Sequence, residues 1–288
     1  MDGRLLAPHE AMVSALDAGF LLGDGLFESL RASSGVPYLL DRHLARLYGA
    51  ARELEFAQMP SPEALAAQVG ETLDCAALDD AYLRITITRG QGVVALAPPS
   101  GPPTVVIAAL PAPPRADPGM GIAVSLIGPP CEHGPKAKST SRQPAVLARR
   151  KAALAGADEG IYVSGRGRVL EGTSSNVFAV SEGRLLTPPA EDCLPGITRG
   201  CLLELARQDG LEVLETPLTV TRLLDAQEAF LSNAVQGLRA IQAIKGRPLV
   251  PGQGGAFGSK GEVFGRLLML YEEDRHQAAV HVENGSTV

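Results

Sequence analysis

Glu171-Gly172-Thr173-Ser174-Ser175-Asn176-Val177-Phe178 lies between two strand-like runs and consists of small residues around one carboxylate. Small side chains let a backbone approach a ligand closely, so the block can present Glu171 to a bound molecule; an ordinary β-turn with an exposed glutamate has the same composition. On its C-terminal side Val177–Val180 reads as a strand, and the Glu182-Gly183 turn folds it back on Leu185-Leu186. On its N-terminal side come a strand at Ile122–Leu126, a helix over Gln143–Leu154 stopped by Gly156, and a strand at Ile161–Val163. Further on, Leu194-Pro195-Gly196-Ile197-Thr198-Arg199-Gly200 opens a helix expected over Thr198–Gln208. A glycine-led helix start with a threonine hydroxyl and free N–H groups can cradle a phosphate, and a plain well-capped helix is the other reading. Strand-like pieces at Val213, Thr219–Leu224 and Ala229–Leu231 and a helix over Val263–Glu273 complete this half.

The N-terminal half has a different rhythm. After an alternating, turn-rich start, Leu40, Leu44, Leu47, Ala51 and Leu54 form a helical stripe with Arg46 beside it. A second helix is expected over Pro62–Cys75, capped by Ser61, and strands over Tyr82–Thr88 and Thr104–Leu110. The proline-rich run 111–119 favours extended, unpaired backbone. The expected division is an α+β domain over 1–112, a linker over 113–119, a second domain over 120–272 and a flexible tail over 273–288.

A net charge of −6 gives no general attraction to nucleic acid or to acidic membrane surfaces. No apolar run approaches the roughly 20 residues of a membrane span, and Met1-Asp2-Gly3-Arg4 lacks a signal-peptide layout, so a cytoplasmic protein acting on small molecules is expected. Cys75, Cys131, Cys193 and Cys201 are irregularly spaced and read as reduced thiols. His9, His43, His133, His276 and His281 lack ligand spacing, so no metal is expected; His43 reads as a packing or capping residue. Of 26 cationic residues only Lys136, Lys138, Lys151, Lys245 and Lys260 carry an amine. Lys138, at the end of a loop and near apolar strands, can be desolvated into an imine-forming nucleophile, with Lys136 as its immediate competitor. Gly252–Lys260 is similar to a nucleotide phosphate loop, but its order is Gly-Ser-Lys and no strand leads into it.

The Lys138, Glu171 and Gly196-Ile197-Thr198 blocks, in this order and at these separations, resemble the class IV aminotransferases, fold-type IV enzymes that use pyridoxal 5'-phosphate (PLP). The resemblance spans roughly residues 10–245. It takes in Gly23-Asp24-Gly25-Leu26-Phe27-Glu28, His43-Leu44-Ala45-Arg46-Leu47 and Phe230-Leu231-Ser232-Asn233-Ala234. It implies a two-domain α+β fold, with a small N-terminal α+β domain and a larger C-terminal β-barrel-like domain with flanking helices, PLP between the domains, and a homodimer. It further implies that Lys138 carries the cofactor and that Glu171 faces the pyridine nitrogen. Arg46, Ile197 and Thr198 would then hold the phosphate, with Asn233 and Ala234 in a neighbouring loop. Phe27, Arg84 and Arg89 are the substrate-contact candidates.

Within the family the chain looks most like 4-amino-4-deoxychorismate lyases, which form 4-aminobenzoate and pyruvate on the folate route. The alternative is a transaminase for D-amino or branched-chain amino acids with a 2-oxo acid acceptor. After Arg89-Gly90-Gln91-Gly92 the chain departs from the lyase pattern, having Val93-Val94-Ala95-Leu96, and Arg142 stands where many relatives have tyrosine. Arg84 and Arg89 are the candidate carboxylate clamps, on opposite faces by strand alternation.

Overall fold

A computed structural model describes residues 1–92, 95–97, 99, 101–115, 121–128, 137–245 and 261–283. It divides into two compact units: Met1–Pro113 with Ala137–Arg142 and the residues from Gln277 on, and Pro114 to His276 apart from that insertion.

In the first unit α1 (Ala18–Leu22) is capped by Asp17, whose side chain accepts from Gly19 N. β1 (Gly25–Ser33), β2 (Val36–Pro37), α2 (Leu40–Glu53), α3 (Pro62–Ala76), β3 (Asp80–Thr88) and β4 (Thr104–Pro111) follow. The strands form an antiparallel sheet in the order β2-β1-β3-β4. Register decides what each face becomes. Leu26↔Ile87, Glu28↔Ile85 and Leu30↔Leu83 share one face, whose leucines and isoleucines are fully buried. The inward stripes of α2 (Leu44, Leu47, Ala51) and α3 (Leu65, Val69, Leu73) supply the apolar complement. The other face carries Phe27, Ser29 and Arg31 opposite Thr86, Arg84 and Tyr82. β1 was not legible as a strand because most of its residues on both faces are buried, which hides the alternation.

The second unit holds β5 (Ile122–Ile127), α4 (Gln143–Leu154), β6 (Glu159–Val163), β7 (Arg168–Gly172), β8 (Asn176–Ser181) and β9 (Arg184–Thr187). Then come α5 (Ile197–Gln208), β10 (Val213–Glu215), β11 (Leu218–Thr219), α6 (Val220–Leu224), β12 (Glu228–Asn233), β13 (Gly237–Lys245) and α7 (Glu262–Glu283). Nine strands make one sheet, in the order β10-β9-β8-β12-β13-β5-β6-β7-β11. Val169 of β7 and Val177 and Ala179 of β8, far apart in that order, share one apolar core with Val124, Ile161, Leu231 and Ile241. The sheet therefore curls on itself into a barrel-like body, as the resemblance implied.

Three expectations are corrected. Residues 273–283 are helix and not a frayed tail, because past Gly265 α7 meets no glycine or proline before its end. Thr219–Leu224 is only briefly strand: Thr219 turns it into α6 by accepting from Arg222 N. Ala137–Arg142 packs with the first unit although it interrupts the span expected for the second domain. The reason is hydrogen bonding to β1, set out below. Of the expected linker, residues 116–119 lie outside the described residues, as do Lys136, Cys131, His133 and the Gly252–Lys260 run. Among the described residues no helix is long and apolar enough to cross a membrane.

Candidate active site

Lys138 sits on a short extended piece added to the edge of β1. Phe27 N donates to Lys138 O at 2.9 Å, Thr140 N to Gly25 O at 2.8 Å, and Ser139 bridges Leu26. The Thr140 hydroxyl donates to Gly23 O at 2.7 Å, tying the same piece to the left-handed glycine that closes α1. Lys138 is thus held through backbone, and its side chain lies on the same side of the sheet as Phe27. Its Nζ lies 4.7 Å from the centroid of the Phe27 ring. The Arg84 guanidinium covers the same ring at 3.9 Å, and that of Arg142 lies at 5.8 Å.

The other two N-terminal candidates lie elsewhere in this unit. Arg89 stacks on Phe56 and spends its donors on Asp24 and on the carbonyls of Glu55 and Leu54. It lines a cavity of about 440 Å³ with Leu22, Asp24 and Leu96, and does not join Arg84 at Phe27. Arg46 reaches Glu28, on the helix-covered side of the sheet, through Nε at 2.8 Å and Nη2 at 2.6 Å. Glu28 also bonds His43 Nδ1 at 2.8 Å, and both are almost fully buried. Burial pushes the Glu28 carboxyl up, but hydrogen bonds from His43 and Arg46 and their charges outweigh it, and the pKa falls to about 2. Burial pushes the His43 imidazole below its usual range despite Glu28, with the Arg46 and Lys138 charges adding to the effect. The motif containing Glu28 was visible in sequence, but no role was read for its carboxylate; a glutamate at an inward-facing strand position was the available signal.

In the second unit the blocks that sequence separates are bonded together. Glu171 Oε2 accepts from Leu194 N at 2.9 Å, and Asn176 Nδ2 donates to Leu194 O at 2.8 Å. The loop entering α5 is therefore clamped by residues at both ends of the Glu171–Asn176 turn. The turn is anchored in its own right: Thr173 and Ser174 hydroxyls donate to Glu159, which also accepts from Arg149 and Gly160 N. Gly196, the N-cap of α5, has no side chain to cap the helix, and a Cβ there would collide with Asn176 Oδ1. The first-turn N–H groups of Ile197 and Thr198 thus lack an N-cap side-chain acceptor at the positive end of a helix dipole. The buried Thr198 hydroxyl bonds Tyr271, whose pKa burial pushes up to about 12. Asn233 Oδ1 accepts from Val235 N and Gln236 N, so its side chain builds the β12–β13 turn that holds Ala234.

The family description Amino-transferase class IV matches residues 25–244. The chain belongs to the class IV aminotransferases. A class IV relative in Methanocaldococcus jannaschii, provisionally named a branched-chain-amino-acid aminotransferase, is 38% identical over 86% of this chain and 88% of its own. The aminodeoxychorismate lyase of Bacillus subtilis is 29% identical over 95% and 93%. Among solved structures, the branched-chain aminotransferase of Escherichia coli superposes with a TM-score of 0.84 at 26% identity, covering 94% of this chain and 92% of that one.

Class IV aminotransferases are PLP-dependent enzymes, and the residues of this chain suit that cofactor. The α5 start offers uncapped N–H groups to a phosphate. Ser175 and Ser232, at the head of β8 and near the end of β12, each bury a hydroxyl that has no hydrogen-bond partner among the described residues. The first unit carries an amine, Lys138, and the second a carboxylate, Glu171, which are the kinds of group that PLP chemistry asks of a protein.

Proposed function

We propose that this chain is a PLP-dependent aminotransferase that moves an amino group between an amino acid and a 2-oxo acid. The observation that carries the reading is the position of Lys138, an amine held by backbone bonds to β1 and lying 4.7 Å from the Phe27 ring beside Arg84. The aminotransferase name of the relative at 38% identity supports a transferase.

When bound, PLP supplies an electron sink for negative charge at the substrate Cα. Lys138 would hold it through Nζ, and Glu171 would keep the ring nitrogen protonated. Ile197 and Thr198 would donate to the phosphate, with Asn233 and Ala234 in the adjoining loop; Arg46, committed to Glu28 on the helix-covered face, is left out of this set. Arg84 would grip the α-carboxylate of the amino acid, which turns the Cα–H bond toward Lys138 Nζ. Lys138 Nζ then takes the Cα proton as general base and gives a proton back later in the half-reaction. The Phe27 ring would pack beside that amine.

A lyase acting on 4-amino-4-deoxychorismate is the second reading. It is supported by the B. subtilis lyase, aligned over 95% of this chain, and by Arg142 in place of tyrosine. The two separate in one pair of assays. Amino donors with 2-oxoglutarate should yield glutamate; release of pyruvate with 4-aminobenzoate from aminodeoxychorismate, without amino transfer, would replace the first reading by the second. The site itself is checked by borohydride reduction of the PLP-loaded protein. Lys138→Ala should lose the covalent mass increment and Lys136→Ala should keep it, and the reverse would overturn the assignment. For the assembly, we propose that a second copy of the chain covers the exposed Met12–Leu22 segment.

A further inference from the structure

Tyr271, fully buried on α7, touches two loops at once, the start of α5 and the β12–β13 turn. Phe264, Leu267 and Tyr271 form one buried stripe of α7, spaced by three and four. Phe264 packs on Phe230 of β12, with ring centroids 5.5 Å apart. Seven residues on, about 10 Å along the helix, Tyr271 reaches the turn beyond the end of β12. A Cβ on Gly237 there would lie 3.3 Å from Tyr271 Cε1, so the ring packs on a bare Cα, at a residue whose φ of +70° favours glycine. On its other side the phenol bonds the Thr198 hydroxyl in the first turn of α5. The same two helices meet again one turn on, where Cys201 Sγ lies 4.0 Å from Asp274 Oδ2.

Burial keeps this phenol protonated at neutral pH, so it has a proton to give. A threonine hydroxyl carries one proton and two lone pairs. When Oγ1 accepts from the phenol, its own proton is left for another acceptor, and a hydroxyl that accepts is polarised into a stronger donor. Thr198 stands beside first-turn N–H groups that Gly196 leaves without a side-chain cap. We infer that Tyr271 is a positioning residue for the cofactor phosphate: it donates to Thr198 Oγ1, turning the threonine proton toward the anion, while its ring sets the β12–β13 turn. This rests on the PLP-dependent reading of the site, in which the α5 start takes the phosphate. Tyr271 itself touches no reacting atom and acts through Thr198.

The test titrates the full chain, stripped of cofactor, with pyridoxamine 5'-phosphate and with pyridoxamine by calorimetry. The two ligands share a ring and differ by the phosphate, and neither forms an imine with Lys138, so phosphate binding is read apart from that bond. Wild type should prefer the phosphate ester by about a hundredfold or more, from several hydrogen bonds to one charged group. Tyr271→Phe keeps the ring and removes only the hydroxyl. It should bind the phosphate ester about tenfold more weakly, the value of one such bond, with pyridoxamine affinity and the far-ultraviolet dichroism unchanged. Thr198→Val should show a loss at least as large, Thr198→Ser should match wild type, and adding Tyr271→Phe to Thr198→Val should change nothing further. A parallel loss of both ligands in Tyr271→Phe, losses that add in the double variant, or a Thr198→Ser loss equal to that of Thr198→Val would overturn the inference. An unchanged preference in Tyr271→Phe would overturn it alone, whereas a wild type that does not distinguish the two ligands would take the phosphate reading of the α5 start down with it.

Discussion

Glu28 shows how one residue can be made indispensable by its position in a strand. It faces the helix-covered side of the sheet, where it is fully buried, and it survives there as a carboxylate because Arg46 and His43 satisfy both oxygens. Removing it would leave a guanidinium beneath α2 without its buried counter-charge. Glu28→Ala should therefore cost about 3–5 kcal/mol in urea unfolding, far more than an exposed ion pair such as Arg184–Glu182. The pH dependence has a definite sign. With a folded pKa near 2 against an ordinary 4.5, Glu28 contributes stability that is present above 4.5 and lost as pH falls toward 2. His43 is held below its usual 6.5, so the unfolded chain takes up its proton first and stability also falls as the solution is acidified below 6.5. Glu28→Gln should flatten the stability profile between about pH 5 and pH 2, read from denaturation midpoints across that range. An unchanged slope would mean the carboxylate does not titrate as the geometry requires.

At the scale of elements, the proposed site depends on a guest strand. The Lys138 segment is distant in sequence from β1, yet its backbone completes the β1 edge, and the Thr140 hydroxyl on Gly23 O keeps it in register. Thr140→Val should leave the melting temperature within a few degrees of wild type, since one hydrogen bond contributes about 1 kcal/mol. It should lower kcat on the order of tenfold by loosening the lysine relative to Phe27, with amino-transfer kinetics as the measurement. This pairing also marks where sequence reading stops. The helices α2, α3, α4 and α5 were legible from their apolar stripes and, for α3 and α5, from the stop or cap residues Ser61 and Gly210. β1 and β13 were not, since burial on both faces of β1 and the mixed polarity of Gly237–Lys245 erase the period-two signal. The Glu171 and Gly196 blocks were legible as motifs, but their bonding through Leu194 depends on contacts between elements, which no local pattern records. Arg89 looked equal to Arg84 in sequence; only the tertiary positions of Asp24 and Phe56 show that it is spent on structure.

At the scale of the whole molecule, the segment Met12–Leu22 is the feature a monomer accounts for least. Met12, Leu16 and Phe20 are 75%, 60% and 72% exposed, and Val13, Leu21 and Leu22 add to the same surface. A loose terminus could expose such residues without consequence, but this one is bolted down. Asp17 is fully buried between the Thr88 and Thr104 hydroxyls, each donating at 2.8 Å, and Ala18 beneath it is fully buried too. A rigid platform that presents apolar side chains to water gains free energy by burying them, at about 25 cal/mol per Å², against a second surface of the same kind. A two-fold pair of identical chains meets that condition with no other partner, because an isologous contact sets each patch against its own copy. Sedimentation equilibrium should then return twice the chain mass for wild type, and Leu16→Asp combined with Phe20→Asp should return the chain mass while the far-ultraviolet dichroism is retained. If the wild type sediments as a monomer at micromolar concentration, or the double variant stays dimeric, the contact lies elsewhere and the platform must serve a different surface.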